Sequence, residues 1–258
     1  MKRVVLELVC AVALCATSVF AQDQEKAALR FVVYNVEYST WANPEQIGEA
    51  LKAHSPDVVG FNEVPQGDWT KRVGAVLGCP YTYTGLVSSA NHFDKYKSIA
   101  SRYPISDLRE VMLDAPGGWN PASAVGATFE VNGKKVAFYS THICFNKNEE
   151  DHAKQIADAV KQYDVDADIV VIGGDFNCLV DHTSGIKHFL DAGFKSMWLE
   201  LKIDTTDLFT YSAVDPKDVL GVIDHLVFKG DAEATDGGIV EFEKPLADHK
   251  PVWLEIKF

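Results

Sequence analysis

Short apolar runs, each closed or interrupted near one end by amide, carboxylate or imidazole side chains, constrain this chain more than any other feature. The clearest are Arg30 to Asn35 (RFVVYN), Asp57 to Val64 (DVVGFNEV), Asp168 to Gly174 (DIVVIGG, then Asp175) and Val219 to Phe228 (VLGVIDHLVF). Runs of this length do not alternate in polarity and are too short for buried helices, so they read as strands covered on both faces. Strands hidden on both sides require a layered fold.

The covering layers are legible too. Asn43-Pro44 supplies an N-cap and first-turn proline, and Ile47, Ala50, Leu51 and His54 follow at helical spacing until Ser55-Pro56. Further helices are expected over Asp68 to Leu77, over Asp151 to Tyr163 with Ala153, Ile156, Ala157 and Val160 on one face, and near Gly185 to Ala192. The acidic stretch Asn148 to Asp151 suits a helix N-terminus. The period falls toward two over Tyr81 to Leu86, Lys97 to Ser101, Leu108 to Leu113 and Ser123 to Val131, and Asn132-Gly133 then joins the last of these to Lys134 to His142 as a hairpin. Gly238 to Phe242 and Val252 to Phe258 complete the expected strands. No repeat, low-complexity tract or linker divides residues 22–258, so the expectation is one domain, an α/β (α+β) sandwich of two sheets with helices outside.

The chain has 258 residues, 47% of them hydrophobic, which excludes disorder and coiled coil. With 24 Lys and Arg against 37 Asp and Glu, the net charge is -13, and an acidic surface argues against a protein that coats nucleic acid by electrostatics. A metal-assisted enzyme with a local phosphate pocket survives that test. Lys2-Arg3, the apolar run Val4 to Phe20 and the small residues Val19 and Ala21 predict an export signal over residues 1–21, hence a periplasmic or secreted protein. Cys10 and Cys15 fall in that signal. The odd number left, Cys79, Cys144 and Cys178, forbids a fully paired framework, and Cys144 and Cys178 are expected as packed thiols.

Polar side chains at strand ends line a shared mouth, because burying them unpaired costs several kcal/mol. Asn35, Asn62-Glu63, His142, Asp175 with Asn177, Asp224-His225 and Asp248-His249 all stand at such positions. Singly, Asn35 could cap a turn, and Asp175 and Asn177 could belong to a tight turn after Gly173-Gly174. His225 alternates with Asp224 and is expected on the other face of its strand, in a structural role. Together they form an oxygen-rich set that suits Mg²⁺ or Mn²⁺, with Ca²⁺ also compatible and zinc disfavoured.

In order along the chain, Asn35, Glu63, Ser101 to Ile105 (SRYPI), Thr141-His142, Gly174 to Asn177 (GDFN), Ile223 to His225 (IDH) and Asp248 to Val252 (DHKPV) resemble the endonuclease/exonuclease/phosphatase superfamily, the deoxyribonuclease-I-like fold. The resemblance covers essentially the whole chain after residue 21. It implies a four-layer α/β sandwich, two central mixed sheets flanked by helices, with the site at one end. It further implies that Glu63, Asn35 and Asp248 bind metal, that Asp175 orients or deprotonates water, and that Asn177 holds a phosphate oxygen. His249, oriented by Asp224, would stand next to the scissile phosphate, and His142 would be the second site histidine. Asn62 departs from the Gln common before the metal Glu. Lys97 departs from the small or amide residue often found ahead of the SRYP segment, and Lys97 and Arg102 are candidate phosphate contacts.

The implied activity is metal-dependent phosphoester hydrolysis by in-line attack of an activated water. The compact spacing of the motifs favours a small or flexible phosphodiester, ahead of a nucleic acid, with lipid third; a phosphomonoesterase or a silent binding protein are the alternatives. A monomer without stable membrane association is expected.

Overall fold

The computed structural model of the protein describes residues 27–89, 92–113, 115, 122–143, 149–163, 165–180, 185–211 and 221–258. The expected export signal and Cys144 lie outside them.

The chain runs β1 (Ala28–Asn35), α1 (Pro44–Lys52), β2 (Val58–Val64), α2 (Trp69–Leu77), β3 (Tyr81–Thr84), β4 (Tyr96–Ser101), β5 (Ser106–Leu113), β6 (Ala122–Val131), β7 (Lys134–His142), α3 (Glu149–Gln162), β8 (Ile169–Asp175), α4 (Gly185–Asp191), β9 (Lys195–Ser196), α5 (Met197–Glu200), β10 (Asp224–Gly230), β11 (Glu233–Ile239) and β12 (Val252–Lys257). The strands form two six-stranded mixed sheets, ordered β11-β12-β1-β2-β4-β3 and β5-β6-β7-β8-β10-β9. Local chemistry sets the boundaries. Asn43 and Gln46 exchange side-chain and main-chain hydrogen bonds of 2.9 and 3.0 Å in a capping box at the start of α1. Gly78, left-handed at φ 72°, ends α2. Asn132 and Gly133 both take positive φ between the paired residues Val131 and Lys134, the two-residue turn that matches strand twist.

Alternation along each central strand builds the layers. On β1, Phe31 and Val33 face the second sheet and join Phe138 of β7, Val171 of β8 and Leu226 of β10 in the inter-sheet core. Their neighbours Val32 and Tyr34 face outward and pack with Ile47 and Leu51 of α1 and Val73 of α2. On β8, Val170 and Ile172 meet Ile156 and Val160 of α3 and Phe189 of α4. Both faces of both sheets are therefore dry at their centres, which is why these strands read as continuous apolar runs. Four layers result, helices outside and two sheets within.

β1 and β2 pair in parallel, as do β7 and β8, with Asn35 level with Asn62 and His142 level with Asp175. Their carboxyl ends lie at one end of the sandwich, where open α/β sheets place ligands. β10 runs antiparallel to β8, and its first residue, Asp224, pairs with Asp175, so its beginning reaches the same end.

Four elements depart from expectation. β11 is Glu233–Ile239 rather than 238–242: it is an edge strand with mostly exposed Glu233, Thr235 and Asp236, and only one neighbour, so it carries no apolar period. β10 begins at Asp224, after residues 221–223, which are not strand; the expected start at Val219 lies outside the described residues. β9 and α5, of two and four residues, are too short to leave a periodic signal. No helix among the described residues is long and apolar enough to cross a membrane.

Candidate active site

The strand ends bring together Asn35, Glu63, His142, Asp175, Asp224 and His249. Asp175 is the hub. Its main-chain N–H donates to Asn62 Oδ1 at 2.9 Å, its Oδ2 accepts from Asn35 Nδ2 at 3.2 Å, and its Oδ1 accepts from the Asn177 main-chain N–H at 2.9 Å. The same Oδ2 lies 3.5 Å from His142 Nε2 and 3.6 Å from His249 Nε2. His249 Nδ1 is 2.8 Å from Asp224 Oδ2, which fixes its ring. Asn177 Nδ2 donates to Ile143 O at 2.8 Å, leaving the second amide hydrogen for a ligand.

The backbone bends to make this possible. Glu63 takes φ 56° where the pairing of β2 with β4 slips between Phe61 and Val64, and Asn177 takes φ 51°. Left-handed backbone at a non-glycine residue is uncommon and costs free energy, and it concentrates at working sites. Gly174 sits at φ 142°, and a Cβ there would stand 1.9 Å from Thr141 O and 2.7 Å from Asn62 Oδ1. Only glycine lets β8 approach β7 this closely at the site.

Charge is distributed unequally. Burial alone would discharge His249, but Asp224, Asp175 and Asp248 outweigh it and raise its pKa to about 10, so the ring is an imidazolium at neutral pH. His142 moves the other way: burial, together with the nearby Lys97 and His249, outweighs Glu63 and takes it down to about 4, so it is neutral. Asp175 is pushed up by burial and by Asp224 and Glu63, against the pull of His249. Burial also pushes Glu63 up, but His142, Lys95 and His249 reverse this and leave it lowered. Asp248 is raised by burial and by Glu63.

Several participants escaped the sequence. Lys95 Nζ binds Glu63 Oε2 at 2.5 Å. Ser89 Oγ lies 3.1 Å from His142 Nδ1. Thr210 Oγ1 accepts from the N–H groups of Ile223 and Asp224 at 3.0 and 3.1 Å, and its carbonyl accepts from Lys250 N at 2.7 Å, so it pins both segments that carry the Asp224 and His249 pair. Tyr211 forms a β-bridge with His249 and lies edge-on to its ring at 5.0 Å. None follows a recognisable spacing; each is brought by a loop crossing from elsewhere.

The two expected phosphate contacts do not join this cluster. Arg102 follows β4, which is antiparallel to β2, so it emerges beside Asp57 at the start of β2. There it pairs with Asp57 Oδ1 at 3.1 Å and donates to Pro56 O at 3.2 Å, about 20 Å of strand away from Glu63. Lys97 lies at the site's end of β4 but is wholly buried, and its Nζ donates to Val87 O at 2.9 Å. Burial takes Lys97 down to about 7, although Glu110 and Glu63 oppose the shift. His225 faces away from the site, with Nε2 2.7 Å from Cys178 O.

No cluster of three His, Cys, Asp or Glu among the described residues forms a ready metal cage. Mg²⁺ needs none, since it keeps several waters and uses one or two carboxylates. The residues present fit such an ion: Asp248 Oδ1 is buried without a hydrogen-bond partner, and Glu63 already draws a cation, the Lys95 ammonium.

The model of the endonuclease/exonuclease/phosphatase family matches residues 32–249, and the chain belongs to that family. Solved structures of similar fold include an endonuclease/exonuclease/phosphatase from Beutenbergia cavernae DSM 12333, with 19% identity and a TM-score of 0.75 over 90% of this chain and 72% of that one. D. rerio TDP2 complexed with a single-strand DNA product gives 16% identity and a TM-score of 0.70 over 90% and 100% of the two chains. The mannosyl-6-phosphatase of Bacteroides thetaiotaomicron VPI-5482 gives 17% identity and a TM-score of 0.68 over 89% and 100%. No curated protein matches the sequence.

Proposed function

We propose that the protein is a divalent-metal-dependent phosphoester hydrolase acting first on phosphodiesters. The observation that carries this reading is the convergence on Asp175 Oδ2 of two imidazoles, one held charged by Asp224 and one neutral, beside the Glu63 carboxylate.

Each group has a task suited to its environment. Asp175, its proton affinity raised by burial, accepts the proton of the attacking water. The free amide hydrogen of Asn177 holds a non-bridging phosphate oxygen. The His249 imidazolium faces the phosphate, balances the charge that develops there and gives a proton to the leaving oxygen, while Asp224 keeps it charged and aligned. His142 donates a neutral hydrogen bond. A divalent ion held by Glu63 with Asn35 and Asp248 would neutralise phosphate oxygens as a Lewis acid.

One fold hosts many chemistries. The neighbours illustrate it: one was solved with a DNA product, another is a mannosyl-6-phosphatase. The net charge of -13 disfavours a long polyanion and supports a small phosphodiester. The Lys95 ammonium is the specific observation for the alternative, a phosphomonoester dianion. Hydrolysis of bis-p-nitrophenyl phosphate and p-nitrophenyl phosphate, with Mg²⁺, Mn²⁺ or chelator, tests the proposal. Metal-dependent turnover of the diester, lost in Asp175→Ala and His249→Ala, is expected; turnover that persists in chelator would overturn it. Export is part of the same proposal, and the N-terminal residue of the secreted protein tests it, with Gln22 expected.

A further inference from the structure

We infer that residues 85–89, the strap leaving β3, position His142 through the Ser89 hydroxyl, and that Glu110 of the opposite sheet, assisted by Lys97, seats the strap. The inference rests on the proposed function, in which His142 meets the phosphate.

The strap leaves the edge strand of the first sheet yet is moored to the second. Glu110 on β5 accepts from Leu86 N at 2.7 Å with Oε2, and from Val87 N at 3.1 Å and Ser123 Oγ at 2.7 Å with Oε1. Lys97 closes the other side, its ammonium donating to Val87 O. Two successive main-chain N–H groups and the carbonyl of the second are thus fixed by one carboxylate and the buried Lys97 amino group, and the bonds to the carboxylate are charge-assisted, the strong kind. Gly85 N donates to Lys97 O at 2.9 Å, and Ser89 N donates to Lys95 O at 2.6 Å, which tie both ends of the strap to the segment leading through β4.

The product of this mooring is a hydroxyl behind His142. Ser89 is almost wholly buried and its Oγ faces His142 Nδ1, while Asp175 Oδ2 faces Nε2. A carboxylate stands on each side of the ring, Asp175 Oδ2 at 3.5 Å from Nε2 and Glu63 Oε1 at 3.9 Å from Nδ1, but Glu63 lies beyond hydrogen-bond reach, so the N–H serves Asp175 and Ser89 can donate to Nδ1. The arrangement selects one tautomer: Nδ1 accepts from Ser89, and Nε2 carries the hydrogen into the site. Its counterpart is His249, where the group behind Nδ1 is a carboxylate. The same ring in two places is set to two tasks by what stands behind it. Lys97 and Glu110 act at one remove, and neither touches the reacting atoms.

The test is long-range ¹H–¹⁵N NMR of the histidines, read beside steady-state kinetics at one pH. The wild type is expected to show His142 as the Nε2–H tautomer, and Ser89→Ala a mixture of both. Ser89→Ala should lower kcat roughly tenfold to a hundredfold with KM nearly unchanged, as expected for a misaligned group rather than lost binding. Ser89→Thr should restore the wild-type spectrum and most of kcat. Glu110→Gln should reproduce the mixture without touching His142; Glu110→Asp, which keeps the charge and loses reach, replaces it if the first variant does not fold. An unchanged His142 spectrum in Ser89→Ala overturns the role of Ser89, and an unchanged spectrum in both Glu110 variants overturns the mooring. If the wild type hydrolyses no phosphoester at all, the functional reading falls, while the spectra still judge the positioning.

Discussion

Asn62 of the first sheet holds the main-chain N–H of Asp175 in the second at 2.9 Å, so the central site residue is located by a side chain from the opposite layer. The Asn62 amide also donates to Ser140 Oγ at 3.2 Å, a second tie across the same gap. Both ties are buried, where an unmade hydrogen bond is expensive. Asn62→Leu, close in volume, leaves the Asp175 N–H unpaired and should cost about 2 to 3 kcal/mol. A fall in Tm of roughly 5–10 °C by calorimetry is expected for a chain of this size, together with reduced kcat. An unchanged kcat would show that Asp175 keeps its place without this bond.

Gly174→Ala should be among the most damaging single changes. The new Cβ would meet main-chain oxygen at 1.9 Å, an overlap that no rotamer relieves, in a backbone region hostile to side chains. A loss of at least about 3 kcal/mol in urea unfolding is expected from backbone strain plus displacement of β8. Near-wild-type stability would contradict the close approach of β7 and β8.

The Asp224 and His249 pair predicts a pH signature. The folded pKa of His249 lies near 10, above the ordinary imidazole value of about 6.5. Its charge-dependent stabilisation is therefore complete below the ordinary value and is lost as pH rises through about 10. Asp224→Asn removes the carboxylate that raises this pKa. The alkaline limb of kcat/KM should then move at least one pH unit toward acid, and the variant should lose stability at neutral pH. An alkaline limb in the same place as the wild type's would assign it to another group.

Lys95 and a divalent ion compete for Glu63. Lys95→Met removes the competitor and should raise Mn²⁺ affinity about tenfold by calorimetry, while the metal-free protein melts earlier because a buried carboxylate has lost its partner. Glu63→Gln should weaken Mn²⁺ binding. Equal affinity in wild type and both variants would place the metal elsewhere.

Arg102→Ala should leave kcat and KM unchanged. Its ion pair with Asp57 is about half exposed on the arginine side, and such pairs contribute between nothing and about 1 kcal/mol. Any marked rise in KM would return Arg102 to the phosphate site.

Much of the fold was legible because its signals are local. Buried central strands write themselves as apolar runs, α1 announces itself with Asn43-Pro44, and the β6–β7 turn with Asn132-Gly133. Edge strand β11 left no such mark, since one covered edge and exposed faces impose no apolar pattern. Site residues at strand ends were legible for a related reason: a carboxylate or amide interrupting a buried strand must have a use. Lys97 was not, because a lysine at a strand position looks the same whether its ammonium reaches solvent, a ligand or, as here, a carbonyl of the adjacent strap.

The sequence by itself determined which segments are buried strands, which helices cover them and which polar side chains stand at the strand ends, since hydrophobic period and turn chemistry act over a few neighbouring residues. Only the tertiary structure decided which of those side chains share a site and what stands behind each. Strand direction carries Arg102 to the far end of the sandwich, a crossing strap sets Ser89 against His142, and Lys95 reaches Glu63 from the loop that leads into β4. These are contacts between distant parts of the chain, fixed by pairing direction and register, which no local pattern encodes.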